Sequence, residues 1–193
     1  MNPELTADAL VHLVHLYYPA GLLIDEPQYK TSEEVQRLSA LLHTHAKPAP
    51  TWENFIPRLR HEFPDCSLWD TTVPLLDPCY SVRVSLPGFK VGAPLYDCVV
   101  CLLSQLAPVY ALYASHTDRN EPGEGYWQRL PPFPPEFQSH EARLATLIQA
   151  TFGFTRLPND VLLTPVPDLV PRTAHFGLGE ARLIDCLFTP SRW

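Results

Sequence analysis

Cysteine and histidine are the residues of this sequence whose spacing suggests metal or thiol chemistry. Cys98 and Cys101 form a C-x-x-C pair, a spacing found among zinc ligands and dithiol redox sites. A zinc site needs a second pair of ligands, and the sequence contains no second C-x-x-C and no H-x-x-x-H. Residues 97–103 are mostly apolar and typical of a strand, in which residues three apart point to opposite faces. We therefore expect two buried, reduced thiols on opposite sides of a sheet, with no bound metal or cofactor.

The histidines do not form a recognisable ligand set. His12 and His15 share one face of a predicted helix, and His43 and His45 lie near the end of another. No spacing connects the two pairs, so we expect structural or surface roles. The sequence also lacks a G-x-S-x-G elbow, a P-loop and a G-x-G-x-x-G motif, which favours a protein that is not an enzyme. An enzyme that joins a cysteine to a distant histidine stays an alternative.

The segment 116–137 is the strongest candidate for a partner-binding surface. It is long for a connection, and long loops in compact domains are often functional. Adjacent aromatic residues next to acidic groups are typical of interface anchors. The alternative is that both aromatic side chains are buried in the core. A second acidic patch stands beside Tyr29. The predicted partner-binding residues are Asp118, Glu121, Glu124, Tyr126 and Trp127, with Asp25 and Glu26 in the second patch.

The charge balance bears on the kind of partner. The chain has 14 Lys+Arg and 21 Asp+Glu, a net charge of -7, and both parts, 1–63 and 64–193, are acidic. Nucleic-acid binders need basic surfaces, so we expect no nucleic acid and favour a basic protein partner. The alternative is that mild acidity only aids solubility.

No apolar stretch reaches the length of a membrane span, and residues 1–19 lack the basic start of a secretory signal. We expect no membrane association and a cytoplasmic protein.

Hydrophobic periodicity predicts the elements that would position these residues. Residues 1–63 are typical of helices, the first starting at Asn2-Pro3, the second after a capping box over residues 31–34, and the third at Thr51. From residue 64 onward the period changes to two. Residues 79–86 alternate, with Ser81 and Ser85 among those facing outward.

Residues 95–103 are apolar apart from Asp97, which indicates a central strand covered on both faces. Further strands are predicted at 108–115, 161–164 and 182–188, with an irregular segment at 116–138 and a helix from Ser139. The order favours an α+β fold in a single domain, 1–193. In it, N-terminal helices pack on a mostly antiparallel sheet, and one further helix precedes the C-terminal strands.

Several stretches resemble the small cytoplasmic immunity proteins of bacterial polymorphic toxin systems. The stretches are Tyr17-Tyr18-Pro19, Tyr80-Ser81-Val82-Arg83-Val84, Pro108-Val109-Tyr110-Ala111-Leu112-Tyr113, Val166-Pro167-Asp168 and the C-terminal run from Gly177 to Phe188. The resemblance implies a non-catalytic protein that binds a cognate toxin domain and occludes or distorts its active site. Many such proteins are acidic and face basic nuclease toxins. A structural subunit, like the enzyme above, stays an alternative, and we expect a monomer or a small homo-oligomer.

Overall fold

The computed structural model describes residues 5–88, 95–118, 126–172 and 176–188. Asn2, Pro3, Glu121 and Glu124 therefore lie outside the described residues. Within these ranges the chain forms seven helices and six strands. They are α1 (Ala7–Val14), α2 (Pro27–Thr31), α3 (Glu33–Thr44), α4 (Pro50–Glu62), β1 (Leu68–Asp70), β2 (Cys79–Ser85), β3 (Leu95–Ser104), β4 (Val109–Asp118), β5 (Tyr126–Arg129), α5 (Pro135–Phe152), β6 (Thr155–Arg156), α6 (Asn159–Leu162) and α7 (Leu183–Leu187).

The strands form one sheet, with β1 to β5 side by side in chain order. Each of these neighbours pairs antiparallel, and only the short β6 runs parallel, beside the start of β4. Tight connections explain this order, because antiparallel neighbours need only short turns, such as the one between β3 and β4. The predicted class, an α+β fold with a mostly antiparallel sheet, is confirmed.

The sheet is covered on both faces, as the apolar run of β3 predicts. On one face Cys98 and Val100 pack with residues of α1, α3 and α7. On the other face Val99 and Cys101 pack with residues of α4 and α5. The two thiols therefore point to opposite sides of the sheet, as predicted, and both side chains are fully buried. Coverage of both faces leaves the ends of the strands as the places where polar side chains of the sheet can reach solvent.

Helix caps explain where several helices begin and end. The hydroxyl of Thr6 accepts a hydrogen bond from the Ala9 amide at the start of α1, and Ser32 does the same for Val35 at the start of α3. The predicted capping box began one residue earlier, at Thr31. Helix α5 ends at Gly153, whose φ of 66° is the left-handed conformation that glycine adopts at helix ends.

Two predicted C-terminal strands are helices in the structure. Residues 161–164 overlap α6 and the turn after it, and residues 182–188 contain α7. Every residue from Leu183 to Phe188 is buried, including the polar Asp185, so the run has no exposed positions from which a period of two or of 3.6 can be read. The Asp185 carboxylate accepts a hydrogen bond from the Arg182 amide at 2.9 Å, which caps the first turn of α7.

The segment 116–138 is also more regular than predicted. Strand β4 continues to Asp118, β5 spans Tyr126–Arg129, and α5 begins at Pro135 rather than Ser139. Ser81 and Ser85, predicted to face outward, are buried. Both hydroxyls are hydrogen-bonded, Ser81 with Thr71 and Ser85 with the Ser67 amide, because the connections on either side of β1 cover that part of β2.

Polar contacts tie the N-terminal helices and the chain between them to the C-terminal segment. The buried Tyr18 hydroxyl donates to the Cys186 carbonyl at 2.9 Å, and the Tyr29 hydroxyl donates to the Val170 carbonyl at 2.8 Å. His15 Nε2 lies 3.0 Å from Asp168 Oδ2. Burial opposes charging of His15, but the Val11 carbonyl and the Asp168 carboxylate outweigh it, so the pKa of His15 is raised.

Candidate interaction site

Three side chains from neighbouring strands meet at the end of the sheet where β4 leads into β5. Asp97 stands near the start of β3 and pairs in register with His116, which pairs in turn with Trp127 near the start of β5. Residues paired across antiparallel strands share a face, so the sheet aligns the three side chains in one row. We call Asp97, His116 and Trp127 the β4–β5 surface.

Hydrogen bonding and stacking fix the orientation of these side chains. His116 Nδ1 donates to the Asp97 carboxylate at 2.6 Å, and the two side chains are 23% and 35% exposed. The imidazole stacks on the Trp127 indole, with ring centres 5.4 Å apart and planes 13° apart. The indole also meets the Phe137 ring edge-on at 5.9 Å. An aromatic pair held in this way is rigid before any partner arrives.

The arrangement suits a cationic side chain better than an anionic one. A guanidinium or ammonium group can pair with the Asp97 carboxylate and lie against the face of the indole. The part of the chain between the two strands adds acidic groups by sequence, because residues 118–125 include Asp118, Glu121 and Glu124 against a single arginine.

Of the predicted site residues, Trp127 is the one that belongs to the row of three side chains. Trp127 is half-buried, and it packs against the core on the α4–α5 side while part of its side chain stays exposed. Asp118 and Tyr126 are the last residue of β4 and the first of β5, respectively. Glu121 and Glu124 belong to the connection between these strands, outside the described residues. Asp97 and His116, which complete the row, were not predicted as site residues.

The second acidic patch lies on the other side of the molecule. Asp25 is exposed, whereas Glu26 is half-buried and accepts a hydrogen bond from the Leu23 amide at 2.8 Å. The neighbouring Tyr29 packs with Val35 of α3 and Val170, and α3 covers the opposite face of the sheet from Trp127. A partner surface centred on Trp127 therefore does not extend continuously over Asp25 and Glu26.

The structure also brings together a cysteine and a histidine that are 74 residues apart. Cys66 Sγ lies 3.4 Å from His140 Nε2, and the Ser139 hydroxyl lies 3.3 Å from His140 Nδ1. The imidazole stacks on the Phe63 ring at 5.6 Å. Cys66 precedes β1 and His140 lies in the second turn of α5, and no sequence motif connects two such positions.

Burial acts on both members of this pair. It raises the pKa of the Cys66 thiol, against the opposing effect of Arg143, and it lowers the pKa of His140, with Arg143 acting in the same direction. Both shifts favour a neutral thiol beside a neutral imidazole. A nucleophilic cysteine needs the opposite charge state, a thiolate beside an imidazolium. The distance between Cys66 and His140 thus suits a Cys–His site. The directions of their pKa shifts oppose the charge state that such a site needs.

Metal binding and membrane insertion receive no support from the described part of the chain. No group of three or more His, Cys, Asp or Glu side chains converges there as a metal site would require. None of the helices in the same ranges has the length and apolar character needed to cross a bilayer.

Comparisons of the chain with known proteins found no matching family model, no similar curated protein and no similar solved structure.

Proposed function

We propose that this chain binds a basic protein toxin and neutralises it by covering the toxin's active site with the β4–β5 surface. The observation that carries the proposal is the row of Asp97, His116 and Trp127, a carboxylate and an indole held in place by the imidazole between them. The resemblance to immunity proteins and the net charge of -7 support the same kind of partner.

We expect binding in two steps, a long-range attraction by acidic residues and then contact with Asp97 and Trp127. The acidic residues of the sequence segment 118–125 attract a basic surface over a distance of about a Debye length, roughly 8 to 10 Å at physiological salt. At contact, an arginine or lysine of the toxin pairs with Asp97, and its stem packs on Trp127. The rigid indole loses little conformational entropy on binding, which is why aromatic residues are frequent anchors in interfaces. Occlusion requires no chemistry from this chain.

Calorimetry with a catalytically inactive form of the protein encoded by the adjacent gene tests the proposal. We expect one-to-one, nanomolar binding and rescue of cells that express the active form. Trp127→Ala should weaken binding about 30-fold or more, the effect of losing an anchor worth about 2 kcal/mol. The pair Glu121→Gln and Glu124→Gln should mainly slow association and flatten its salt dependence.

A matched control removes two exposed carboxylates elsewhere. Glu53 lies on the exposed side of α4, and Asp160 lies in α6. The pair Glu53→Gln and Asp160→Asn changes the net charge by the same amount and should leave the association rate within about twofold of the wild type. If this control slows association as much as the pair in the β4–β5 connection, the charge acts through the whole molecule, and the site is misplaced. Absence of both binding and rescue refutes the proposal.

The contact between Cys66 and His140 keeps a second candidate function open, an enzyme that uses a cysteine nucleophile. The distance of 3.4 Å favours it, whereas the directions of both pKa shifts oppose it. The dependence of thiol reactivity on pH separates the two functions, because only an activated thiol is ionised below neutral pH.

A further inference from the structure

A cavity of about 530 Å³ lies at the opposite end of the sheet from the β4–β5 surface. It is bounded by the connection between α3 and α4, the start of β2, the turn between β3 and β4, and the end of α5. Strand β3 runs from one end to the other, with Asp97 near its start and Ser104 at its end. Cavities that bind small molecules have volumes of about 300 to 1,000 Å³, so this one is large enough for an aromatic molecule of one or two rings.

The walls of the cavity are mostly apolar and carry no fixed charge. Phe152 and Phe154 flank the left-handed Gly153, with ring centres 5.6 Å apart. Leu103 and Pro108 lie on the side of the sheet. None of the described residues that line the cavity is Asp, Glu, Lys or Arg. A charged ligand would lose its hydration there without gaining a counter-charge, which is costly.

His45, Tyr80 and Gln105 are among the polar residues that line the cavity and give it hydrogen-bonding capacity. The Tyr80 hydroxyl accepts a hydrogen bond from the Ala49 amide at 3.1 Å and lies 3.3 Å from His45 Nδ1. When the Tyr80 hydroxyl donates a hydrogen bond to Nδ1, the neutral His45 ring carries its own proton on Nε2. This nitrogen makes no hydrogen bond to the described residues. Gln105 is held by its backbone amide, which donates to the Pro78 carbonyl at 2.8 Å. Its Oε1 is shielded from solvent and has no hydrogen-bond partner among the described residues.

We propose that this cavity binds a small, uncharged aromatic molecule that carries an amide, amine or hydroxyl group at the edge of its ring. The apolar walls accept the ring, the imidazole Nε2 supplies a donor, and the Gln105 amide supplies an acceptor once its side chain rotates, because Oε1 has no accessible surface in its present position. A half turn about the last side-chain bond of Gln105 exchanges the positions of its amide oxygen and its amide nitrogen. The same side chain can therefore present either an acceptor or a donor to the ligand. The binding site is separate from the β4–β5 surface and does not depend on the proposed toxin binding.

The walls are ordered without a ligand, which lowers the entropic cost of binding. Tyr80 stacks on Trp52 with ring centres 5.0 Å apart and planes 16° apart. Trp52 is itself fixed by a hydrogen bond of 2.9 Å from its indole nitrogen to the Asp70 carboxylate. Phe152 meets the Phe55 ring edge-on at 5.0 Å. The aromatic wall therefore continues into the core between α4 and the sheet.

Benzamide and benzoate test the proposal, because they have the same ring and nearly the same shape but differ in charge. Titration of the ¹⁵N-labelled chain with benzamide should shift the amide signals of Gln105, Leu106 and Thr151 saturably, with a Kd of about 1 mM or tighter. Benzoate should bind at least tenfold more weakly. Gln105→Met keeps the shape of the side chain without its amide and should weaken benzamide binding about threefold to tenfold.

A blocking variant and a matched control locate the site. Thr51 is exposed in the first turn of α4 and lines the cavity, so Thr51→Trp should fill the cavity and abolish the shifts. Thr146 is exposed on α5, away from the cavity, and Thr146→Trp should bind benzamide as the wild type does. The proposal is overturned by the absence of saturable shifts at 10 mM benzamide, by equal binding of benzoate, or by unchanged binding in both Thr51→Trp and Gln105→Met.

Discussion

The pH dependence of alkylation at Cys66 decides whether the Cys66–His140 pair is a nucleophilic site. Cys66 is the one cysteine of the five that is not buried, so iodoacetamide should modify it alone in the folded chain. Burial raises the pKa of its thiol. A thiol with a pKa at or above the usual value of about 8.5 gains roughly 80- to 100-fold in thiolate between pH 6 and pH 8. We expect the rate of alkylation to rise by that factor.

An activated pair gives a different profile. A thiolate held by an imidazolium is already ionised at pH 6, so its alkylation rate would change less than about twofold up to pH 8. The ratio of rates at the two pH values is independent of the intrinsic nucleophilicity of the thiolate, because one thiol is compared with itself. The assay is mass spectrometry of the intact chain against time, with Cys66→Ser as the variant that should remain unmodified. A flat profile that becomes steep in His140→Ala would refute our interpretation and support the enzyme.

Three further predictions concern the scaffold. Tyr18→Phe should lower the free energy of unfolding, measured in urea, by about 1 to 2 kcal/mol, because it removes the buried hydrogen bond to Cys186; an unchanged midpoint would show that this hydrogen bond contributes nothing. The stabilisation by the His15–Asp168 pair is fully present between the ordinary pKa values of the two side chains, about 3.9 for Asp and about 6.5 for His. Because the pKa of Asp168 is lowered and that of His15 is raised, the stabilisation is lost as the pH falls through the Asp168 pKa or rises through the His15 pKa. Asp168→Asn should therefore lower Tm by about 1 to 3 °C at pH 5 and by less at pH 8, since exposed pairs contribute under about 1 kcal/mol. Gly153→Ala should cost about 1 kcal/mol from backbone strain at φ 66° alone, because no atom lies within 4 Å of the added methyl group; equal stability would contradict that conformation.

Sequence patterns were sufficient to predict the parts of the fold that depend on local periodicity. The class follows from the order of the elements, the central strand β3 follows from a run of apolar residues, and the opposite orientations of Cys98 and Cys101 follow from the alternation of side chains along a strand. The same rule fails for α7, where every residue is buried and no period remains to be read. It also fails for β5, a strand of four residues whose pairing with β4 depends on the register of the sheet.

The same distinction between local patterns and long-range packing applies to the site residues. Trp127 was predicted because aromatic residues next to acidic ones are conspicuous in a sequence. Asp97 and His116 were not predicted, because their contact depends on the register of two neighbouring strands, which pairs residues that are 19 positions apart in the sequence. The Cys66–His140 contact depends on the packing of α5 against the chain before β1. Long-range packing of this kind leaves no trace in local spacing.

The two candidate sites lie at opposite ends of the sheet for a physical reason. Helices cover both faces of β3 along its length, and within the sheet a polar side chain in the middle of the strand would have to be satisfied in a dry core. Functional polar groups on the sheet are therefore expected at the ends of the strands. One end has an acidic row with a rigid indole, which suits a basic macromolecule. The other has an uncharged cavity, which suits a small ligand. The chemistry that each end offers follows from whether a carboxylate or an aromatic ring occupies the last positions of each strand.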